Sequence, residues 1–441
     1  MIQLQHILIV FLILTLFLPL SFLSKRLNYF KFTFFIQIIL LASILFVLNL
    51  NTDFYLNIFW WLFIVFISLN IQSPTSNWEW WFLILFIFIG LYIFLIGFIT
   101  NFLGLFIILE AQVIVFLLLT QFENNSTINI EAIARWCLLN IVSSLFLMIS
   151  FGMLYQSFGT INLVDLLLLD NYSDSYTNLA FVLFYSSFLF KIGIPPFHFW
   201  LPDIYETSNT HLVSILIAPI KLFYILILQY FVIIKCDVAF IFTPLGYFSM
   251  VVGLLITLNQ TSIKRFLAWT GIFYFGAFIL TLSNMTLDNI LYLKIYINVY
   301  LFSSLVFVLL NQINLTRLSD FTLLFGDNFL LGLFFIMVLI IIIGLPVIAG
   351  FYTKLSFFYN LLVSNNSYIV LLLLLILTSF AGFYYLNTFI FGLSYKYLLQ
   401  NINIIETMNL KLNWTLYTLL LFNLLLIFFP FQLSNIFLYL I

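Results

Sequence analysis

Four ionisable residues stand inside or beside long apolar stretches, and they are the side chains most able to do chemistry. Glu110, Lys191 and Lys221 each lie near the middle of an apolar run, and Lys354 lies in another run just beyond a break that contains Gly and Pro. A charge at the centre of a bilayer costs about 3 kcal/mol on insertion scales. A lysine escapes that cost by snorkelling only near a helix end. These positions therefore predict either a structural ion pair between helices or groups that carry protons.

A proton relay is the functional interpretation of the same residues. Desolvation favours the neutral amine of a buried lysine and a neighbouring carboxylate favours its ammonium, so such a lysine can change charge near neutral pH. We expect Glu110 and Lys191 to lie close enough to couple, directly or through one water, with the proton then passing by way of Lys221 toward Lys354. His198 could bridge a gap, because neutral imidazole both donates and accepts a proton. A hydrogen-bonded packing role is the alternative for this histidine.

The composition places these residues in a lipid environment. Of 441 residues, 65% are apolar and 7% are charged, whereas a soluble globular protein has roughly 25% charged residues. The mean hydropathy is +1.23. A net charge of −1 offers no basic face to nucleic acid, and the two cysteines have no metal-ligand spacing. The sequence predicts an integral membrane protein with lipid around it, no metal site and no small-molecule substrate other than protons.

The apolar runs predict an all-α polytopic membrane protein of about fourteen transmembrane helices, because a membrane-spanning helix needs about 20 mostly apolar residues. The connections between the runs are short. The runs fall near 5–24, 30–50, 56–73, 80–99, 101–121, 131–156, 177–200, 209–233, 238–258, 263–284, 287–311, 328–363, 367–393 and 412–438.

The seventh and twelfth runs contain helix-breaking sequences at corresponding places. They continue as GIPPFHFW (193–200) and GLPVIAGF (344–351), and proline removes a helix hydrogen bond and clashes with the preceding turn. A kink is the simpler interpretation of one intramembrane proline. Two such interruptions favour a five-helix unit used twice, as in transporters built from inverted repeats. We expect non-helical stretches near 193–196 and 344–350, in repeats formed by helices 4–8 and 9–13.

This organisation divides the chain into four segments and predicts its orientation. The segments are an N-terminal three-helix part over 1–75, a first repeat over 80–233, a second, inverted repeat over 238–393 and a C-terminal helix over 412–441. Positive loops prefer the side of synthesis, so both chain ends are expected to face the opposite compartment. The basic residues follow the odd-numbered helices, and they are Lys25, Arg26, Lys31, Arg135, Lys264, Arg265, Arg317, Lys396 and Lys411.

Several motifs together resemble a known family. FKIGIPPFHFWLPDIYE (190–206) resembles the signature of chain 2 of NADH:ubiquinone oxidoreductase, the respiratory complex I. Residues 131–144, 260–272 and 344–358 are similar to its sixth-helix motif, the start of its tenth helix and its broken twelfth helix. The motifs occur in the family's order. Pro-Phe-His-Phe-Trp followed by Pro-Asp and Tyr-Glu favours chain 2 over the sister chains 4 and 5, and so does Lys354, where chain 4 is expected to have Glu.

The resemblance implies an antiporter-like subunit of the membrane arm, of the mitochondrial type, that carries protons. Glu110 and Lys191 would form the control pair of the first half-channel, Lys221 would be the connecting lysine and Lys354 the exit lysine. The partners would be other membrane-arm subunits. The chain would take part in NADH:ubiquinone reductase without redox chemistry or a cofactor of its own, since NAD, FMN, iron–sulfur clusters and ubiquinone would be bound by other subunits.

The same resemblance implies a cellular location. The chain would be a multi-pass protein of the mitochondrial inner membrane, with both termini on the intermembrane-space side. Its abundant Phe, Ile, Asn, Tyr and Lys share A/T-rich codons, which favours an organelle gene.

The sequence departs from the family pattern at three places. Arg135 stands where the family usually has Lys, and it should serve as well if only positive charge is needed. The Gly-x-Pro turn expected after Glu206 is replaced by residues 207–211, which leaves the role of His211 open. Ile220 separates a proline from Lys221 and could change the direction of the lysine side chain.

Three other functions are compatible with the residues. A free-standing cation/proton antiporter should show an acidic ion site beyond Glu110. A structural scaffold subunit would use Lys191 as a fixed charge for assembly. An intramembrane transferase would use His198 and Asp203 as acid and base.

Overall fold

The computed structural model describes the central part of the chain. Several predictions concern residues outside the described ranges: the segment 1–75, the run 80–99, most of the second repeat, the break at 344–350 and the helix 412–441. The count of fourteen helices and the inverted repeat therefore stay predictions. The described residues are 101–121, 127–160, 162, 175–208, 210–217, 220, 221, 224, 225, 227, 228, 239–283, 354, 358, 376, 378–380 and 382.

The described elements are α-helices, and six of the predicted apolar runs coincide with them. By length and composition, α1, α2 and α7 can cross a membrane. Seven residues that the predicted runs left in a connection, 201–207, belong to a separate short helix, α4, which begins at Trp200. The helices are α1 (Phe102–Gln121), α2 (Thr127–Phe158), α3 (Ser175–Ile192), α4 (Trp200–Thr207), α5 (Thr210–Ile217), α6 (Ala239–Thr257) and α7 (Ile263–Leu282).

The break predicted near 193–196 is present between α3 and α4. Gly193 has a φ of +83°, which a residue without a Cβ adopts readily. The N–H of Ile194 donates to the carbonyl of Leu189 at 3.0 Å, and the N–H of Gly193 donates to the carbonyl of Phe190 at 3.2 Å. This pair of bonds is the Schellman arrangement that ends a helix. A Cβ at Gly193 would also lie 2.6 Å from Cδ1 of Leu201, so the chain turns back tightly here.

Helix α4 follows the break and packs back on the end of α3. The indole N–H of Trp200, its first residue, donates to the carbonyl of Phe190 at 3.1 Å. Pro202 is tolerated because the N–H groups of the first helical turn have no intrahelical partner. Asp203 and Glu206 lower the apolar content of α4, which is why a search for long apolar runs places a connection here.

Helix α2 is longer than a bilayer is thick. Its 32 residues span about 48 Å, whereas the hydrocarbon core is about 30 Å thick. The surplus allows its first turns, which carry Glu131 and Arg135, to extend beyond the core. Leu138, Ile141 and Leu145 form part of an exposed apolar stripe along the rest of the helix, as expected for a surface whose solvent is lipid.

Helices α6 and α7 form the most closely packed pair of the described residues. A Cβ at Gly253 would lie 2.7 Å from the backbone nitrogen of Phe273. Small residues at such positions let membrane helices approach closely. Almost every residue of α7 is buried, and helices α4 and α5 pack against it.

Candidate functional site

Lys191 lies in the last turn of α3, immediately before the break, and its charge has a carboxylate partner on α1. Its side chain is 1% exposed, and its Nζ donates to Oε1 of Glu110 at 3.3 Å. The side chain of Glu110 is 30% exposed, so the carboxylate reaches the edge of the packed region. The predicted proximity of Glu110 and Lys191 is confirmed.

Lys221 is also buried, but its described surroundings are aromatic. Its Nζ lies 4.6 Å from the ring centroid of Phe275 on α7 and 5.4 Å from that of Tyr205 on α4. An aromatic face attracts a cation, most strongly where water is excluded. These two rings can therefore stabilise the ammonium form of Lys221 without a carboxylate partner.

Lys191 and Lys221 line the same cavity, which we call the lysine cavity. The centre of a water molecule can occupy about 20 Å³ of it, and one water needs about 10–15 Å³ by that measure. The two lysines of the proposed relay thus share a space of one or two water molecules. The cavity is lined by Gln112, Val113, Phe116, Trp136, Asn140, Lys191, Trp200, Leu216, Ile220, Lys221 and Tyr224.

Lys354 also lies against helix α7, which carries the Phe275 ring beside Lys221. Its Nζ lies 5.9 Å from the ring centroid of Tyr274, whereas Lys221 lies against the next residue, Phe275. Consecutive residues of an α-helix point about 100° apart. The two lysines therefore contact different faces of α7.

His198 is not among the described residues that line the lysine cavity. His198 lies in the break, is buried, and has its ring centroid 5.2 Å from that of Trp269 and 4.4 Å from that of Phe199. His211 is the second residue of α5. The contacts of His198 fit packing, and a relay role for it stays a prediction.

A second group of charges lies where the first turns of α2 and α7 meet α4. Arg135 donates to Asp203 at 2.9 Å and also bonds Glu131. Arg265 lies 3.6 Å from the other oxygen of Asp203 and forms an ion pair with Glu206. We call these five residues the surface cluster. Arg135 and Arg265 contact one carboxylate, so the two basic motifs assigned to one side of the membrane do lie at one end of the described helices.

A lysine next to the surface cluster in the sequence binds the end of α4. Nζ of Lys264, the residue before Arg265, donates to the carbonyl of Ser208, which caps α4. A cation at a helix C-terminus is favourable because the last carbonyls carry partial negative charge. Asp203 is therefore held as an ion-pair partner, and its contacts are with arginines.

Sequence reasoning missed several residues of the lysine cavity. Gln112 follows Glu110 by two residues, and Asn140 lies in an apolar part of α2. A lone amide in an apolar run is a signal that could have identified Gln112, because a buried polar group needs a partner. Trp136, Trp200 and Tyr224 gave no such signal, since aromatic residues are abundant throughout the chain.

Comparison with known proteins gives matches over the region that holds this site. A family model described as NADH:quinone oxidoreductase/Mrp antiporter, TM, matches residues 100–383. NADH-quinone oxidoreductase subunit N 2 of Thermodesulfovibrio yellowstonii is 29% identical over 277 residues, which cover 61% of this chain and 60% of that protein. NADH-ubiquinone oxidoreductase chain 2 of Oenothera berteroana is 29% identical over 266 residues, covering 57% of this chain and 54% of that protein. The chain thus spans a little over half the length of these relatives.

The fold is also found in a solved structure. A chain in the structure of respiratory complex I from Thermus thermophilus with bound aureothin matches with a TM-score of 0.75. The two are 21% identical, and the match covers 97% of this chain and 98% of that one. At this identity the likeness concerns the fold.

Proposed function

This chain belongs to the NADH:quinone oxidoreductase/Mrp antiporter membrane family, and we propose that it is a proton-translocating, antiporter-like subunit in the membrane arm of an NADH:ubiquinone oxidoreductase. The resemblance drawn from its motifs is thereby confirmed. The observation that supports the proton role is the contact of the buried Lys191 with Glu110, at 3.3 Å, beside a cavity that Lys221 also lines.

The proposed relay works by changing which charge state of Lys191 is favoured. With Glu110 in contact, the ammonium of Lys191 is stabilised by an opposite charge. When that contact lengthens, desolvation favours the neutral amine, and Lys191 releases a proton. The neutral amine of Lys221 takes up this proton and becomes an ammonium between two aromatic rings. Lys354, on the far side of α7, is the next acceptor.

The remaining parts of the proposal concern the setting of this chain. It would lie in the mitochondrial inner membrane among other membrane-arm subunits, with both termini in the intermembrane space. The family's broken twelfth helix would carry Lys354 within a second, inverted repeat. NAD, FMN, iron–sulfur clusters and ubiquinone would bind other subunits, and this chain would contribute proton movement to their reaction.

Replacing Lys191 by arginine tests the relay most directly. Arginine keeps the positive charge and the ion pair but cannot release its proton at working pH. We expect the Lys191→Arg complex, purified in mild detergent and placed in vesicles, to translocate as few protons per NADH as a Lys191→Ala complex. Assembly, followed by the amount of intact complex, should be retained in both.

Lys264→Arg is the matched control, because it keeps a positive charge next to the Ser208 carbonyl at the end of α4, away from the lysine cavity. This variant should pump like the wild type. Normal pumping by Lys191→Arg would mean that Lys191 is a fixed charge, and the relay would be wrong. Purification of the chain alone, with cation/proton exchange activity, would support the free-standing antiporter instead.

A further inference from the structure

Gln112 has a buried side-chain amide that the proposed relay does not use. Its side chain lies on α1, and the residue is 1% exposed. Neither its Nε2 nor its Oε1 has a hydrogen-bond partner within the described part of the chain. Buried polar side chains in folded proteins almost always have a partner, from protein or ordered water. The amide therefore needs a ligand that fits its surroundings.

The surroundings of Gln112 are the lysine cavity. The cavity has room for one or two waters, about 20 Å³ for their centres. A buried water needs two to four polar partners. Gln112, Lys191, Lys221 and Asn140 supply them. The amide nitrogen of Asn140 donates to the carbonyl of Trp136 at 3.2 Å, so Asn140 offers the cavity an acceptor oxygen.

We propose that Gln112 is a positioning residue that holds a water molecule between Nζ of Lys191 and Nζ of Lys221, and that the proton crosses through this water. The inference rests on the proposed relay and adds the group that orients the transfer. Lys191 gives one proton to the water oxygen as the water gives one of its own to the neutral amine of Lys221. The water is regenerated, Lys191 ends neutral and Lys221 ends as an ammonium. Oε1 of Gln112 accepts a hydrogen bond from the water hydrogen that stays behind.

An amide suits this position better than a carboxylate does. It both donates and accepts hydrogen bonds and carries no net charge. A second carboxylate in the cavity would attract both ammonium groups and hold the proton on one of them. Gln112 can therefore orient the water in either protonation state of the two lysines, and the only carboxylate near Lys191 in the described region remains Glu110.

Replacing Gln112 by methionine removes the amide and keeps the side-chain length. The contribution of this chain is the difference in proton translocation rate between the wild-type complex and the Lys191→Ala complex. In Gln112→Met we expect that contribution to fall by about tenfold, the factor given by losing one ordinary hydrogen bond to the transferring water. The solvent deuterium isotope effect on turnover should rise, because proton transfer becomes slower than the other steps. A purely structural role would lower the amount of complex and leave the isotope effect unchanged.

Thr120→Val is the control on the same helix. Thr120 is buried, its hydroxyl donates to the carbonyl of Leu117 at 2.8 Å, and it does not line the cavity. This variant should keep both the pumping rate and the isotope effect of the wild type. Wild-type pumping with an unchanged isotope effect in Gln112→Met would overturn the inference.

A density map of the assembled wild-type complex tests the same inference without any variant. Water density within hydrogen-bonding distance of the Gln112 amide and of both Nζ atoms is the expected result. Direct contact between the lysines and the amide, with no density for water among them, would overturn the water bridge. If Lys191→Arg fails to pump and the map shows no water, the water bridge is wrong but the proposed relay is retained. If Lys191→Arg pumps normally, the proposed relay is itself wrong.

Discussion

The protein holds charged side chains in two neighbouring regions under opposite conditions. In the lysine cavity, Lys191 has a side chain that is 1% exposed and pairs with one carboxylate. In the surface cluster, the side chains of Arg135 and Glu131 are 57% and 62% exposed, and Asp203 lies between two arginines. The chemistry of the pairs is similar, and burial is what differs.

Burial decides what each ion pair can do. A buried charge loses its hydration, so the energy of Lys191 depends strongly on the distance to its one carboxylate. In the surface cluster, water and alternative partners replace any contact that is lost, and an exposed pair contributes only about 0–1 kcal/mol. A small displacement of Glu110 can therefore change the charge of Lys191, whereas a similar displacement of Glu131 changes little.

The type of basic residue follows the same division. Lysine, which can release its proton in a desolvated site, occupies the cavity at Lys191 and Lys221. Arginine, which stays charged, forms the surface cluster at Arg135 and Arg265. Helix α4 joins the regions, since Trp200 lines the cavity and Asp203 belongs to the cluster. The cluster thus holds in place an element that forms part of the cavity wall.

The largest effect that separates the two regions should come from removing one carboxylate charge in each. Glu110→Gln removes the partner that stabilises the Lys191 ammonium. We expect at least a tenfold loss of this chain's share of pumping, since an opposite charge nearby changes a proton affinity by about ten- to a thousandfold. Glu131→Gln, the same substitution in the surface cluster, should leave protons per NADH unchanged. Equal losses in both variants would mean that burial does not distinguish the regions.

A smaller effect, on stability, should come from Asp203→Asn. The substitution removes the negative charge that contacts both Arg135 and Arg265. The side chain of Asp203 is 27% exposed. We expect a loss of about 1 kcal/mol, seen as a lower temperature of half-inactivation of the complex, with normal pumping by the complexes that assemble. Glu206→Gln, which affects one arginine, should cost less. Loss of pumping in intact Asp203→Asn complex would place the cluster on the proton path.

The sequence predicted the individual helices and the Lys191–Glu110 pair, but it did not predict the surface cluster or the lysine cavity. The lengths of the apolar runs located α1 and α7 to within a few residues, because a helix that crosses the bilayer needs about 20 apolar residues. The cost of burying a charge predicted that Lys191 and Glu110 are partners, and the family resemblance implied the same pair. The cluster was not predictable in this way, since Arg135 and Asp203 are 68 residues apart and no local pattern joins them. The water-sized space between Gln112 and the two lysines likewise depends on how helices α1 to α5 and residues 220, 221 and 224 pack.

The smallest effect should come from Arg135→Lys, the reverse of the substitution that tests the cavity. The guanidinium of Arg135 reaches Glu131 with one nitrogen and Asp203 with another, and a lysine ammonium is a single point of charge with a weaker hold on two carboxylates. Because the side chain is 57% exposed, water and the remaining contacts offset most of that difference, and we expect a loss of stability within about 0.5 kcal/mol. Pumping should equal that of the wild type. Lysine and arginine would then be interchangeable in the cluster but not in the cavity, and a failure to pump in intact Arg135→Lys complex would show that the cluster needs the guanidinium itself.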